Sequence, residues 1–141
     1  MVDEMRLMRL LRGVTDDVSI LRDRAAAGAE ALLADRALLD SVKYVFITAS
    51  EGAIRASQHV AAAESWEAPE TNADAFCVLA AHGVIEEPLA ERLAAAAGFR
   101  NLLIHQYGDI DDRRTVRNLG SLGDLDDFVD SVVRWVGGEA G

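Results

Sequence analysis

The stretch "DRALLDSVKYVFITASEGAIRASQHVA", residues 35 to 61, decides the fold class. Leu38, Leu39, Val42, Val45, Phe46, Ala49, Ala53, Ala56 and Val60 recur at helical spacing, which gives one face of a long α-helix to a core. The pattern starts at Ala34 or Asp35 and lasts to Ala63, about seven turns. Gly52 and Ala53 in its middle are small enough for a second helix to approach closely.

Upstream, Leu7, Leu11, Val14, Val18 and Leu21 form a similar stripe, predicting a helix from residue 2 to about residue 29 with Gly28 as its stop. Downstream, "ESWEAPE" at 64 to 70 interrupts the pattern, because Pro69 cannot continue a helix and pushes Ala68 toward an extended backbone. "TNAD" at 71 to 74 then reads as a capping signal, with Thr71 or Asn72 as cap, for a short helix through Phe76, Val78 and Leu79 that ends at Gly83. Pro88 suits the first position of the next helix, which turns Leu89, Leu93 and Ala96 inward and either continues or kinks at Gly98. A last helix follows "SLGD" with Leu125, Phe128, Val129, Val132 and Val136 inward, and Gly137 and Gly138 are expected to end it.

These segments predict an all-α protein, an antiparallel bundle of about five to six helices, with residues 1 to 141 forming one domain. Composition agrees: 50% of the residues are hydrophobic, only 6% are aromatic and only two are proline. The first residues mix acids and arginines with apolar side chains, unlike a secretory signal. No apolar run reaches the roughly 20 residues of a membrane span, so no membrane is expected and the location expected is cytoplasmic. Cys77 is the one cysteine, which excludes an internal disulfide; beside Phe76 and Val78 it is expected in the core. A net charge of −10 opposes broad binding to nucleic acid. Residues 100 to 117 are an exception, with Arg100, Arg113, Arg114 and Arg117 against Asp109, Asp111 and Asp112.

Within that region, "AGFRNLLIHQYGDID", residues 97 to 111, sets polar side chains inside an apolar run. If residues 99 to 105 are helical, each advances about 100°. With Arg100 at zero, Phe99, Leu102 and Leu103 fall at about 260°, 200° and 300°, an apolar arc, while Asn101 and His105 fall at about 100° and 140°. Arginine, asparagine and histidine are thus displayed together on the other face. Ile104, near about 40° on that face, makes sense if part of the face is covered at an interface or cleft. Tyr107 and Gly108 belong to the chain exit. A plainer reading is also available, since cations at a helix C-terminus are favoured by the macrodipole. His59 and His82 stand alone among small residues and read as solvent-facing or as satisfied core groups.

Other chemistries find no footing. A di-iron bundle needs a Glu-x-x-His pair on each of two helices, and none occurs here; serine-hydrolase, P-loop and dinucleotide fingerprints are also missing.

"RNLLIHQY", residues 100 to 107, has the form Arg-x4-His-x-Tyr, and here the sequence resembles the HepT-like toxins of the HEPN superfamily. The likeness extends to "PLAERLAAAAGFRNLLIHQY" as a fourth-helix segment, to "DIDDRRTVRNLGSLGDLDDFVDSV" as a closing pair of helices and to the two leading helices. Gln106 stands where the family often has a smaller residue. The resemblance implies an all-α homodimer whose two motif helices meet along a cleft, acting as a metal-independent ribonuclease toxin without cofactor. Carried onto this chain, His105 would be general base or acid at the ribose 2′-hydroxyl and leaving oxygen, a task suited to a group with a pKa of roughly 6.5. Arg100 would stabilise charge on the scissile phosphate, and Asn101 would orient the histidine or the phosphate. RNA would be the substrate. Tyr107 would be AMPylated by a cognate MntA-type minimal nucleotidyltransferase antitoxin, which uses ATP, and the added charge and bulk would shut RNA out. The alternative from another class is a noncatalytic HEPN bundle that binds a nucleotidyltransferase partner or a nucleotide.

Overall fold

The computed structural model describes residues 2–140, and among them the regular structure is entirely helical. Seven α-helices follow one another: α1 (Glu4–Ala25), α2 (Ala29–Ala34), α3 (Arg36–Ala63), α4 (Asn72–Ala81), α5 (Glu87–His105), α6 (Asp112–Asn118) and α7 (Gly123–Ala140). Two 3-10 turns, Tyr107–Asp109 and Leu119–Ser121, flank α6. The all-α class is as expected, and the higher helix count comes from α2, a six-residue helix too short to carry a readable period.

Side chains cap several of the helix starts, that of α4 as the sequence suggests. Asp3 accepts the Arg6 N–H, Asp35 the Leu38 N–H and Thr71 the Asp74 N–H, each at 3.1 Å. Thr71, rather than Asn72, is therefore the cap of α4. α5 begins at Glu87, which puts Pro88 second in the helix, where its missing N–H still costs nothing.

Helix α3 is the spine, packed against α1 along most of its length and touching α4, α5, α6 and α7 as well. Leu7, Leu11, Val14, Val18 and Leu21 are all buried, and they meet Val42, Val45, Ala49, Ala53, Ala56 and Val60 of α3 in a core that α5 and α7 complete. The close approach expected at Gly52 is real: a Cβ there would lie 2.9 Å from Val14 Cγ2. Gly13, on the outer face of α1, has open space around it. Opposite outcomes follow for two added side chains. Gly52→Val is expected to destabilise by about 1–3 kcal/mol through overpacking, because a β-branched Val14 has little rotamer freedom with which to yield. Gly13→Ala should stabilise by up to about 1 kcal/mol from helix propensity alone. Urea midpoints of the two variants test this, and a shift of the same sign in both would contradict the packing of α1 on α3.

Three local expectations are corrected and one left open is decided. The first helix ends at Ala25, and Gly28, at φ 90°, turns the chain into α2; a left-handed glycine marks a change of direction, and the next helix begins beside it. Of the two readings left open at Gly98, the helix continues through it as part of α5. Gly137 and Gly138 do not end α7, which runs on to Ala140, since glycine breaks a helix only when its φ turns positive and otherwise costs about 1 kcal/mol. Cys77 is exposed. On α4 the buried residues are Ala75, Phe76, Val78 and Leu79, an arc centred about 180° away from position 77 at about 100° per residue.

Candidate active site

The site is built at the C-terminal end of α5 against the first half of α3. Phe99 and Leu103 of α5 are buried, and Phe99 meets Phe46 of α3 edge to face at 6.0 Å between ring centres. That anchorage turns the other side of α5 outward, as the 100° arithmetic predicts. Asn101, Ile104 and His105 are exposed, Ile104 by 42%.

Arg100 is largely enclosed, with 16% of its side chain exposed. Its Nη1 donates to Asn101 Oδ1 at 2.9 Å and its Nη2 to Glu51 Oε2 at 3.3 Å. Asn101 thus holds the arginine rather than the histidine. Glu51 also accepts from Arg55 Nη2 at 2.6 Å, so one carboxylate bridges a sheltered guanidinium to an exposed one. The Arg100 Nε is buried with no hydrogen-bond partner among the described residues. Such an unpaired donor costs about 1–3 kcal/mol. The His105 side chain makes no hydrogen bond among the described residues and is exposed one turn beyond Asn101.

Tyr107 leaves this group. It opens the 3-10 turn after α5, and its hydroxyl donates to Asp40 Oδ1 at 2.9 Å. Beneath the ring lies Lys43 Nζ, 4.9 Å from the centroid and almost fully buried, with 1% exposed. Lys43 pairs with Asp112 of α6 at 2.9 Å, and Arg36 reaches both Asp40 (3.3 Å) and Asp112 (3.6 Å). Burial, and then the hydrogen bond to Asp40, push the Tyr107 pKa up from its ordinary 10.0. The phenol therefore stays protonated at neutral pH and keeps donating. Thirty-seven per cent of the tyrosine remains open to solvent.

The sequence reading left out Glu51, Asp40, Lys43 and Arg36. All four lie on α3 and could be found only by knowing which face of α3 meets α5, something neither helix's own period reveals. Tyr44, 66% exposed, shares the Glu51 face because seven residues are nearly two full turns. The two lone histidines lie elsewhere. His59 Nε2 accepts the Asp3 N–H at 3.2 Å, and His82 stacks on Trp66 at 4.0 Å and pairs with Glu67 at 3.1 Å. Among the described residues no group of three or more His, Cys, Asp or Glu side chains is placed to hold a metal ion. None of the described helices is long and apolar enough to cross a membrane.

The pattern that defines the ribonuclease HepT-like family matches residues 14–132, most of the chain and all of this site. The chain belongs to the HepT-like family. Its relatives agree with that placement. The HepT-like chain is 27% identical over 99 residues to the mRNA nuclease HepT of Shewanella oneidensis, covering 70% of this chain and 74% of that one. In fold it is similar to the tri-AMPylated HEPN toxin of Shewanella oneidensis solved in complex with an MNT antitoxin, at a TM-score of 0.85 and 22% identity, covering 95% of this chain and 99% of that one. It is equally similar, at a TM-score of 0.85, to the cytosolic protein YutE of Bacillus subtilis, at 14% identity and covering 98% and 93% of the two chains. The HepT-like fold is thus shared well beyond recognisable sequence.

Proposed function

We propose that this protein is the ribonuclease toxin of a toxin–antitoxin pair, cutting RNA with Arg100 and His105 and silenced by nucleotidylation of Tyr107. The observation that carries the proposal is a sheltered Arg100, held by Glu51 and by Asn101, at the end of the same helix that leaves His105 open one turn beyond Asn101 in a HepT-like chain. His105 takes the proton of the ribose 2′-hydroxyl or gives one to the departing 5′-oxygen, the general base or acid role for which an imidazole is chemically suited. The 2′-oxygen bonds to phosphorus, the 5′-oxygen leaves, and a 2′,3′-cyclic phosphate results. Arg100, pre-set by Glu51 and Asn101, meets the charge that grows on the phosphate oxygens without having to reorganise. No step in this scheme requires a metal ion or a cofactor. Ile104 and Tyr44, large and exposed on either side of the group, are the surface on which a second copy would pack to close the cleft.

The partner is an MntA-type nucleotidyltransferase that spends ATP on Tyr107. Support comes from the S. oneidensis toxin, which is tri-AMPylated and bound to its MNT antitoxin. Support also comes from the position of Tyr107, exposed on a turn just past the motif helix.

Growth and cleavage assays test the proposal together. Wild-type protein should arrest growth and cut RNA but not the same sequence with 2′-deoxyribose, and Arg100→Ala should do neither. Co-expressed nucleotidyltransferase should restore growth for wild type and fail for Tyr107→Phe. Equal cleavage by wild type and Arg100→Ala would remove Arg100 from the chemistry, and no cleavage by wild type would leave only the noncatalytic bundle. A quieter variant probes the arginine's support: Glu51→Gln keeps a hydrogen-bond acceptor but loses the charge, and should lower cleavage about tenfold, the rate equivalent of about 1.4 kcal/mol in the barrier. No change in rate would show that Arg100 needs no carboxylate to hold it.

A further inference from the structure

A nest of charged side chains lies beneath Tyr107. A tyrosine that merely needed to be reachable could stand on an open turn with no partner. Tyr107 instead gives its hydroxyl proton to a hydrogen bond with Asp40, over a buried lysine, with Arg36 braced across two carboxylates. The groups facing the phenol are Asp40, Lys43 and Arg36 from α3 and Asp112 from α6. Of the two carboxylates among them, Asp40 accepts the hydroxyl's hydrogen bond, while Asp112 is paired with Lys43 and Arg36.

Resting on the reading of Tyr107 as the nucleotidylated residue, we infer that Asp40 is the proton acceptor of that reaction, a base that the toxin supplies for its own inactivation. As the Tyr107 oxygen bonds to the α-phosphorus of ATP, the bond from that phosphorus to the bridging oxygen breaks and pyrophosphate leaves. The phenolic proton passes along the existing 2.9 Å hydrogen bond to the Asp40 carboxylate. Geometry favours this direction, since the hydrogen bond already aims the phenolic proton at the Asp40 carboxylate and leaves the oxygen's lone pairs for the incoming phosphorus. A phenol held protonated is a poor nucleophile without such help. Lys43 and Arg36 fit the same role. Lys43 supports the ring from below, and Arg36, already 3.3 Å from Asp40, stays as a cation beside the new phosphate once the carboxylate has been neutralised. Asp40 lies outside the Arg100 and His105 group, so the toxin would keep its nuclease without it.

The test compares wild type, Asp40→Asn and Tyr107→Phe, each incubated with the cognate nucleotidyltransferase and labelled ATP, with nucleotide transfer followed against time. Asparagine still accepts the hydrogen bond but is scarcely basic. Asp40→Asn should be modified at least about tenfold more slowly at pH 7, and its rate should climb toward wild type as the pH rises toward the ordinary phenol range of about 10. RNA cleavage and melting temperature should be unchanged. Equal rates in wild type and Asp40→Asn overturn the proposal, as does a faster Asn variant, which would make Asp40 a guard. A deficit that high pH fails to relieve also overturns it, because the role would then be structural. If wild-type Tyr107 takes no nucleotide while another residue does, the reading of the modification site fails and this inference falls with it.

Discussion

His105→Ala should lower RNA cleavage by about 10²–10⁴-fold, the contribution of one well-placed general acid or base, and should leave stability nearly untouched. The two halves of that expectation come from the same observation. The His105 side chain is exposed and holds no hydrogen bond among the described residues, so its removal opens no cavity and orphans no partner. Surface changes of that kind stay within about 0.5 kcal/mol. The loss should therefore fall on cleavage rather than on folding. Single-turnover cleavage of a short RNA, alongside a thermal melt of the same preparation, checks both halves. A variant that melts normally and still cuts at a tenth of the wild-type rate or better would remove His105 from the chemistry and leave Arg100 acting alone on the phosphate. His105→Gln, which keeps size and polarity without titrating, should be as inactive as alanine.

Much of this arrangement can be read from single helices. The α1 stripe is buried at all five expected positions, and Asp35 and Thr71 cap the helices that follow them. The 100° arithmetic also sorted Phe99 and Leu103 from Asn101 and His105, because a helix fixes the direction of each side chain relative to its neighbours. It does not fix what another helix brings to that face. Glu51 lies forty-nine residues from Arg100, and Asp40 lies sixty-seven from Tyr107, so each partnership exists only after α3 and α5 have packed. Lys43 shows the limit most clearly. A lysine between Val42 and Tyr44 reads as a solvated interruption, yet it is buried because Asp112 and the Tyr107 ring satisfy it from elements far along the chain. Cys77 failed the other way: its neighbours in sequence are apolar, but its neighbours on the helix face are not those neighbours.

The scaffold should answer mutation in the opposite sense to the site, and Phe128→Ala is where the contrast is largest. Phe128 is fully buried on α7 and meets Phe76 of α4 edge to face, 5.7 Å between centroids at 88°. Truncation removes that contact and leaves a void between helices that α3 and α5 already hold in place, at a cost of about 3–5 kcal/mol. Against a total stability of about 5–15 kcal/mol, this is a large share. At about 3–4 °C per kcal/mol for a chain of this size, the melting temperature should drop by about 10–20 °C. The surface pairs that also fasten α7, Arg22 with Asp126 and Arg92 with Asp124, are exposed and cannot make up the difference. Arg100 and His105 are positioned by the packing of Phe99 and Leu103 against α3 and by Glu51, none of which touches Phe128 directly in an aromatic pair or hydrogen bond. Below its lowered melting point, the variant should therefore cleave RNA at close to the wild-type rate per folded molecule. Loss of cleavage in a sample that calorimetry shows to be folded would mean that α7 sets the geometry of the motif helix as well as its stability. Phe128→Leu, which refills most of the volume, should recover more than half of the lost stability.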